Sequence, residues 1–255
     1  MSKAFKCLSI MVLTEDSGSD GPKTVIKLLI EMFKQIDQSV QSHRIGFTPL
    51  EDAYAQLAVR GNEWKNAKAS GERNRRAMIR SIINELLREN SFVFYHIDGD
   101  CRWSAHESST NVSQFRDLML PPIHAGLMSD LRGKTLQEYL GRFHLLVPCY
   151  SIEAWLYQNT REARRLCQEE GCGTCVSKLS DWEQDRASLD EVDQPKKQLC
   201  FQDRHNQHLA TSGFPTGEVF SANASFAKTV MDLVDSAPLT AALARTHAEP
   251  EPAPH

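Results

Sequence analysis

A length of 255 residues allows one large domain, or one domain with a sizeable appendage. With 41% hydrophobic and 24% charged residues, the composition excludes collagenous, fibrous and disordered classes. A formal net charge of −4 excludes a protein that holds nucleic acid by gross basic charge, but leaves room for a local basic groove.

In chain order, Cys7 to Leu13 is a short apolar run of the kind that forms a buried strand. It stops abruptly in the polar, glycine-bearing loop Thr14 to Pro22, where Asp20 or Gly21 can cap a helix and Pro22 suits its start. From Thr24 to Ile36 the apolar positions, among them Val25, Leu28, Leu29, Met32 and Phe33, recur at helical spacing. Ile45 to Phe47 is a weaker strand candidate. Glu72 to Glu89 reads as a second helix, apolar along Ala77, Ile79, Ile82, Ile83, Leu86 and Leu87. Phe92 to Ile97 is the strongest strand, apolar and aromatic without alternation, as a strand covered on both faces requires. A mostly helical stretch follows, interrupted at Pro121-Pro122. Phe143 to Val147 is the last strand candidate, ended by Pro148, and Ser151 to Leu156 begins another helix.

Strands separated by long helical crossovers predict an α/β fold over residues 1–160, with a mainly parallel central sheet flanked by helices. Residues 161–246 are charged, cysteine-rich and without a convincing strand, and read as a helical C-terminal extension. Residues 247–255, with three prolines, read as a frayed tail.

In an open α/β sheet, ligands gather outside the carboxyl ends of the strands. Here the first strand is followed by Glu15, the third by Asp98 and Asp100, and the fourth by Glu153 after a short loop. If Asp98-Gly99-Asp100 is extended, period-two spacing points both aspartates the same way. Two like charges ~4 Å apart repel by about 4 kcal/mol at an effective dielectric of 20, so such a cleft either takes its protons back or admits a divalent cation. Hard oxygen ligands suit Mg²⁺ or Mn²⁺, with Glu15 free to move a proton. The same residues also serve ordinary proteins as turn and helix-cap groups, and a first-turn glutamate such as Glu153 complements a helix dipole.

The segments Leu13-Thr-Glu15-Asp-Ser-Gly, Ile97-Asp98-Gly-Asp100 and Tyr150-Ser-Ile-Glu153-Ala-Trp-Leu156 together resemble the Toprim superfamily. The resemblance is to its small members in bacterial phage-defence and abortive-infection operons, including the RloB-like group, and it covers roughly residues 5 to 160. It implies a Toprim-like α/β domain with a Mg²⁺-dependent site for phosphodiesters. Glu15 would be the general acid/base glutamate, Asp98 and Asp100 the metal-binding aspartates, with Glu15 close enough to join them as a ligand. Glu153 would be an additional ligand or orienting residue. The loop after Glu15 is longer than the family's glycine-led form, and the helical insertion after Asp100 is long. The function implied is a nuclease cutting DNA or RNA; the alternative is a catalytically silent nucleotide- or nucleic-acid-binding adaptor acting with a partner ATPase.

Other groups compete for attention. Cys167, Cys172, Cys175 and Cys200, with His205 and His208, have a spacing permissive for a structural zinc, or are simply reduced thiols and surface histidines. Lys65, Lys68, Arg73, Arg75, Arg76 and Arg80 form the best basic stretch, either a phosphate-binding strip or a solvated helix face. Lys196 and Lys197 have less support for entering the site. His96, inside the apolar strand, reads as a hydrogen-bonded core histidine. Trp103 and Trp155 serve packing or base stacking. Cys101 beside the acids is a poor nucleophile, since carboxylates disfavour its thiolate. The apolar run ending at Glu15 is unlike a signal peptide, and no stretch approaches the ~18 uncharged residues of a membrane span. With its odd set of seven cysteines, the chain is expected to be cytoplasmic, free of the membrane and without a disulfide framework.

Overall fold

The computed structural model describes residues 6–16, 20–211 and 213–247. Ser17-Gly18-Ser19 of the loop after the first strand, and all but His247 of the expected tail, lie outside the described residues. Four strands form one all-parallel sheet: β1 Leu8–Thr14, β2 Ile45–Thr48, β3 Ser91–His96 and β4 Phe143–Leu146. Their order is β2-β1-β3-β4, and each lies within one residue of its predicted ends.

Helix α1 Gly21–Ile36 joins β1 to β2. It starts before its apolar periodicity does: Asp20 stands at the cap, and its backbone carbonyl accepts the Thr24 amide at 2.9 Å. Gly21 is needed there: a Cβ would sit 2.6 Å from the Cβ of Asp16. Helices α2 Ala53–Val59 and α3 Ala69–Leu86 cross back to β3 on the far side of β1. Between β3 and β4 run α4 Thr110–Leu118, α5 Leu120–Met128 and α6 Leu136–Leu140. The break between α4 and α5 places the Pro121-Pro122 pair in the first turn of α5, where missing amides cost no helix bonds. The remainder is helical: α7 Glu153–Leu156, α8 Thr160–Glu169, α9 Val176–Gln184, α10 Asn206–Leu209, α11 Thr216–Ala222, α12 Ala224–Val234 and α13 Ala237–Ala244.

Both faces of the sheet are covered, which explains why β3 shows no polar alternation. Leu8 and Ile10 of β1, and Phe92 and Phe94 of β3, face a core shared with α1 and with α8, α9, α12 and α13. Met11, Leu13, Val93 and Tyr95 face the opposite core, built with α2, α3, α4 and α5. Phe33 meets Phe94 edge-on, with ring centroids 5.7 Å apart. Burying a side chain of that size contributes about 1.5–3 kcal/mol. The alternation fixes the register of β1 against β3, pairing Thr14 with His96, so the two chains leave the sheet side by side. On one side the chain from β1 leads to β2; on the other the chain from β3 leads to β4. The crevice between them is the topological switch point.

Candidate functional site

Glu15 follows β1 directly, and Asp98 follows β3. At this crevice Glu15 Oε1 accepts the backbone amide of Asp98, and Glu15 Oε2 accepts Asn62 Nδ2. The Glu15 carbonyl also accepts the Gly61 amide at 2.9 Å, tying the loop after α2 to the strand end. Gly61 and Asn62 have φ of 54° and 58°; this left-handed pair turns Asn62 inward. Its carbonyl Oδ1 accepts Tyr95 Oη at 2.7 Å and Trp64 Nε1 at 3.0 Å, so two buried aromatic side chains fix the group that holds Glu15.

Asp98 is the hub. Its Oδ1 accepts the Ile152 amide at 3.2 Å and lies 3.2 Å from His96 Nε2, an ion-pair contact off the hydrogen-bond axis. His96 is fully buried, its Nδ1 2.9 Å from Thr14 Oγ1. It is thus the bonded core histidine expected from its strand, and also a partner of the acidic site, which its position did not reveal. Asp100 is joined through Asn111, whose Nδ2 donates to Asp100 Oδ2 at 2.6 Å and to the Asp98 carbonyl at 2.8 Å. Lys65 Nζ donates to Asn111 Oδ1, and its charge is felt by Glu15 and Asp100.

The two aspartates do not converge by the extended geometry predicted from their spacing. Asp100 has φ of 52°, in the left-handed region, and its amide donates to the Tyr150 carbonyl at 3.1 Å. Gly99 serves close approach rather than a turn: its amide donates to Pro148 O at 3.0 Å, and a Cβ there would stand 2.8 Å from that oxygen. The loop after β4 is thereby bound to the acidic loop, bringing Glu153 close. Glu153 is buried, accepting Ser151 Oγ at 2.6 Å and Asn206 Nδ2 at 3.1 Å. A buried, twice-bonded carboxylate is more than a helix-dipole group.

The electrostatics follow from burial and crowding. Burial, then the Asp98 charge, pushes the Glu15 carboxyl up to about 8. Burial raises Asp16 and Glu153 as well, with Asp98 adding to both. Asp100 is also raised, by burial first, against the lowering bond from Asn111. Burial opposes the charge on His96, yet its contact with Asp98 and the charges of Asp98, Asp16 and Glu15 carry it up to about 9. Lys65 is lowered by burial, with Glu15 and Asp100 opposing. Burial opposes the charge on Lys196, but its pairing with Asp203 at 2.5 Å and the charges of Glu153 and Asp16 raise its pKa.

Glu15, Asp98, Asp100 and Glu153 therefore belong to one end of the sheet, coupled through Asp98. Among the described residues their oxygens do not form a set of three mutually within 4.8 Å. The set is open, with hard oxygen donors but no closed cage. The Glu15 and Asp98 carboxyls also hydrogen-bond to each other, which helps to hold the proton on Glu15. An open pair of carboxylates suits Mg²⁺, which keeps several waters and uses one or two carboxylates with substrate phosphates. Beside Asp16, a cavity of about 480 Å³ lies between the ends of β1 and β2, lined by Leu13, Pro22, Ile26, Phe47 and Pro49. A second cavity, of about 690 Å³, lies across the Gly99–Cys101 loop and includes none of the four acids.

The group that does close within 4.8 Å is Cys167, Cys172, Cys175 and Cys200, which can bind a metal such as zinc. His205 and His208 are not in it. His205 Nδ1 accepts the Gln202 amide at 3.0 Å and its Nε2 faces Glu170 at 3.1 Å, while His208 is exposed. Of the basic stretch, Lys65 reaches the acids. Arg73 lies over the Tyr54 ring, Arg75 donates to Trp64 O and Arg76 pairs with Glu72. Trp155 is buried and donates to Ser225 Oγ at 2.7 Å, so it packs; Trp103 stacks on His106. Burial raises the Cys101 thiol, and the Asp100 charge adds to this. No helix among the described residues is long and apolar enough to cross a membrane.

Asn62, Asn111 and Asn206 are the site residues that sequence reasoning missed. Only the Gly61-Asn62 pair carries a local signal, a dipeptide suited to left-handed backbone; nothing marks the other two. Compared with known protein families, curated proteins and solved structures, the chain matches none.

Proposed function

We propose that the protein is a Mg²⁺- or Mn²⁺-dependent, Toprim-like nuclease that hydrolyses nucleic-acid phosphodiesters, a cytoplasmic component of a bacterial phage-defence system. The observation that supports it most is the coupling of Glu15 and Asp98 across the switch point, with Asp100 held beside them by Asn111. The defence context rests on the likeness of the Tyr150–Leu156 segment.

Asp98 and Asp100 would hold the ion. A bound ion supplies Lewis-acid stabilisation of phosphoryl oxygen and a more acidic water. Glu15, carrying a proton at neutral pH in the ion-free protein, is placed to deliver it to a leaving oxygen and to take one back from water. Asn62 positions that carboxyl. His96, buried and cationic, holds Asp98 in its rotamer and balances the excess of carboxylates. Lys65 and Lys196 flank the acids as counter-charges for a phosphate backbone. The apolar cavity beside Asp16 has room for an unstacked base.

The test is cleavage of single- and double-stranded DNA and RNA by purified protein with Mg²⁺ or Mn²⁺. Metal-dependent cleavage lost in Asp98→Ala and Glu15→Gln is expected. Cleavage unchanged in both variants would overturn the site. Stable binding without turnover, or activity only alongside a partner ATPase, would make the protein an adaptor.

A further inference from the structure

The cysteine cluster lies in the helical C-terminal part, outside the acidic site. Cys167 ends the apolar side of α8, and Cys172 follows the left-handed Gly171, φ 68°, which turns the chain back. The Cys172 amide donates to Cys167 O at 2.9 Å, closing that turn. Cys175 caps α9, and Cys200 arrives from 25 positions further on. All four sulfurs lie within 4.8 Å of one another, and those of Cys172 and Cys175 are 3.7 Å apart.

That separation discriminates between chemistries. A disulfide needs its sulfurs about 2.05 Å apart. Four thiolates arranged tetrahedrally at about 2.3 Å from a Zn²⁺ stand roughly 3.8 Å from each other. Hydrogen bonds from Thr174 pull the Cys172 thiol down to about 6, so at least one of the four sulfurs is readily available as a thiolate ligand. Cys167 and Cys175 are buried in the same core as Leu166, Leu179, Trp182 and Phe201, while Cys172 and Cys200 pack on its edge. The set supplies four ligands and leaves no open position for water or substrate.

We infer that Cys167, Cys172, Cys175 and Cys200 bind one Zn²⁺ in a closed tetrathiolate site that fastens the chain between Cys175 and Cys200 at both ends. Binding releases the four thiol protons and leaves a complex of net charge −2. The fastened segment carries Asp190, which accepts the Ser225 amide at 2.9 Å and Ser225 Oγ at 2.7 Å and so ties the segment to α12. It also carries the short turn Pro195–Lys197, packed against α7, which brings Lys196 within range of Glu153 and Asp16. The ion is thus a structural clamp that sets where Lys196 stands relative to the acids.

Metal analysis of the full-length protein, purified without added metal, tests this independently of any nuclease activity. One zinc per chain is expected, falling to near zero in a Cys172→Ser/Cys175→Ser variant, and Co²⁺ should replace it with the visible bands of a tetrahedral tetrathiolate. Zinc content near zero in the wild-type protein, stoichiometric iron instead, or disulfides among these cysteines by mass spectrometry would overturn the assignment, whether or not the variant folds. The clamp role is read by limited trypsin digestion of wild-type protein before and after stripping with a strong chelator. Faster cutting at Lys178, Lys196 and Lys197 supports it, and an unchanged cleavage pattern refutes it.

Discussion

The molecule holds two clusters of side chains of the kinds that ligate metals, built on opposite plans. The thiols come from 34 numbered positions of one helical segment, close within 4.8 Å of one another and leave no ligand position open. The carboxylates come from three strand ends spread over most of the sheet domain, and they stay open, each held by amides and amides' neighbours instead of by a common centre. Soft, closed and partly buried is the plan of a structural site. Hard and open is the plan of a site that exchanges ligands and substrate. The contrast also explains the acids' protonation. Without a cation, burial and crowding keep Glu15 protonated near neutrality, and buried His96 supplies a positive charge in contact with Asp98.

Substitutions can break this contrast, beginning with the acids. Asp98→Ala should reduce metal-dependent cleavage by about 10³-fold or more, because it removes a ligand and the hub of the site. Glu15→Gln should cost about 10²–10⁴-fold, the usual range for a proton-transfer group, with ion binding largely retained. Steady-state rates on one defined oligonucleotide measure both. Asn62→Ala and Asn111→Ala should cost about 10–100-fold, since they orient carboxylates without touching substrate. An Asn62 effect as large as that of Glu15 would instead make the asparagine part of the chemistry.

Stability should separate the acids from one another. An isolated acidic cluster predicts that deleting any carboxylate stabilises the ion-free protein. His96 reverses this for Asp98: Asp98→Ala strips a buried imidazolium of its partner and should destabilise by roughly 1–3 kcal/mol in denaturant titration. Glu15 behaves differently. Its folded-state pKa of about 8, against an ordinary 4.5, means the folded protein keeps a proton that the unfolded chain has already released. Its stabilising contribution is complete below about 4.5 and is lost as pH rises through about 8. His96, raised from 6.5 to about 9, acts in the same direction and extends the loss to higher pH. The melting temperature of the ion-free protein should therefore fall from about pH 5 to about pH 9, and Glu15→Gln should flatten the lower part of that slope.

The frame of the molecule is legible in the residues because burial on two faces leaves a plain mark. Phe92-Val-Phe-Tyr-His-Ile97 has no polar alternation, and Val25, Leu28, Leu29, Met32 and Phe33 of α1 recur at helical spacing, so strands and crossovers can be placed. The acids are legible for a related reason: Glu15 and Asp98 stand where strands must end, and Glu153 where the next helix begins. What holds them is not legible. Asn62, Asn111 and Asn206 lie 47, 11 and 53 positions from the carboxylates they bond, in loops and helix starts that no periodicity links to the sheet. The left-handed Asp100 is equally hidden, since Asp-Gly-Asp is compatible with extended and turned backbone alike. The cysteine cluster is half legible: Cys172-x-x-Cys175 is a local signal, whereas the choice of Cys200 over the nearby His205 is made by tertiary packing, with His205 engaged by Gln202 and Glu170.

That Asp98 and Asp100 share one divalent ion, with Glu15 of the neighbouring strand end beside it, is tested most directly by Mn²⁺ titration followed by electron paramagnetic resonance. The wild-type protein should bind one Mn²⁺ per chain, displaceable by Mg²⁺, with that binding lost in Asp98→Ala and weakened in Asp100→Ala. Binding unchanged in both variants, or no binding in a folded wild-type protein, would contradict it.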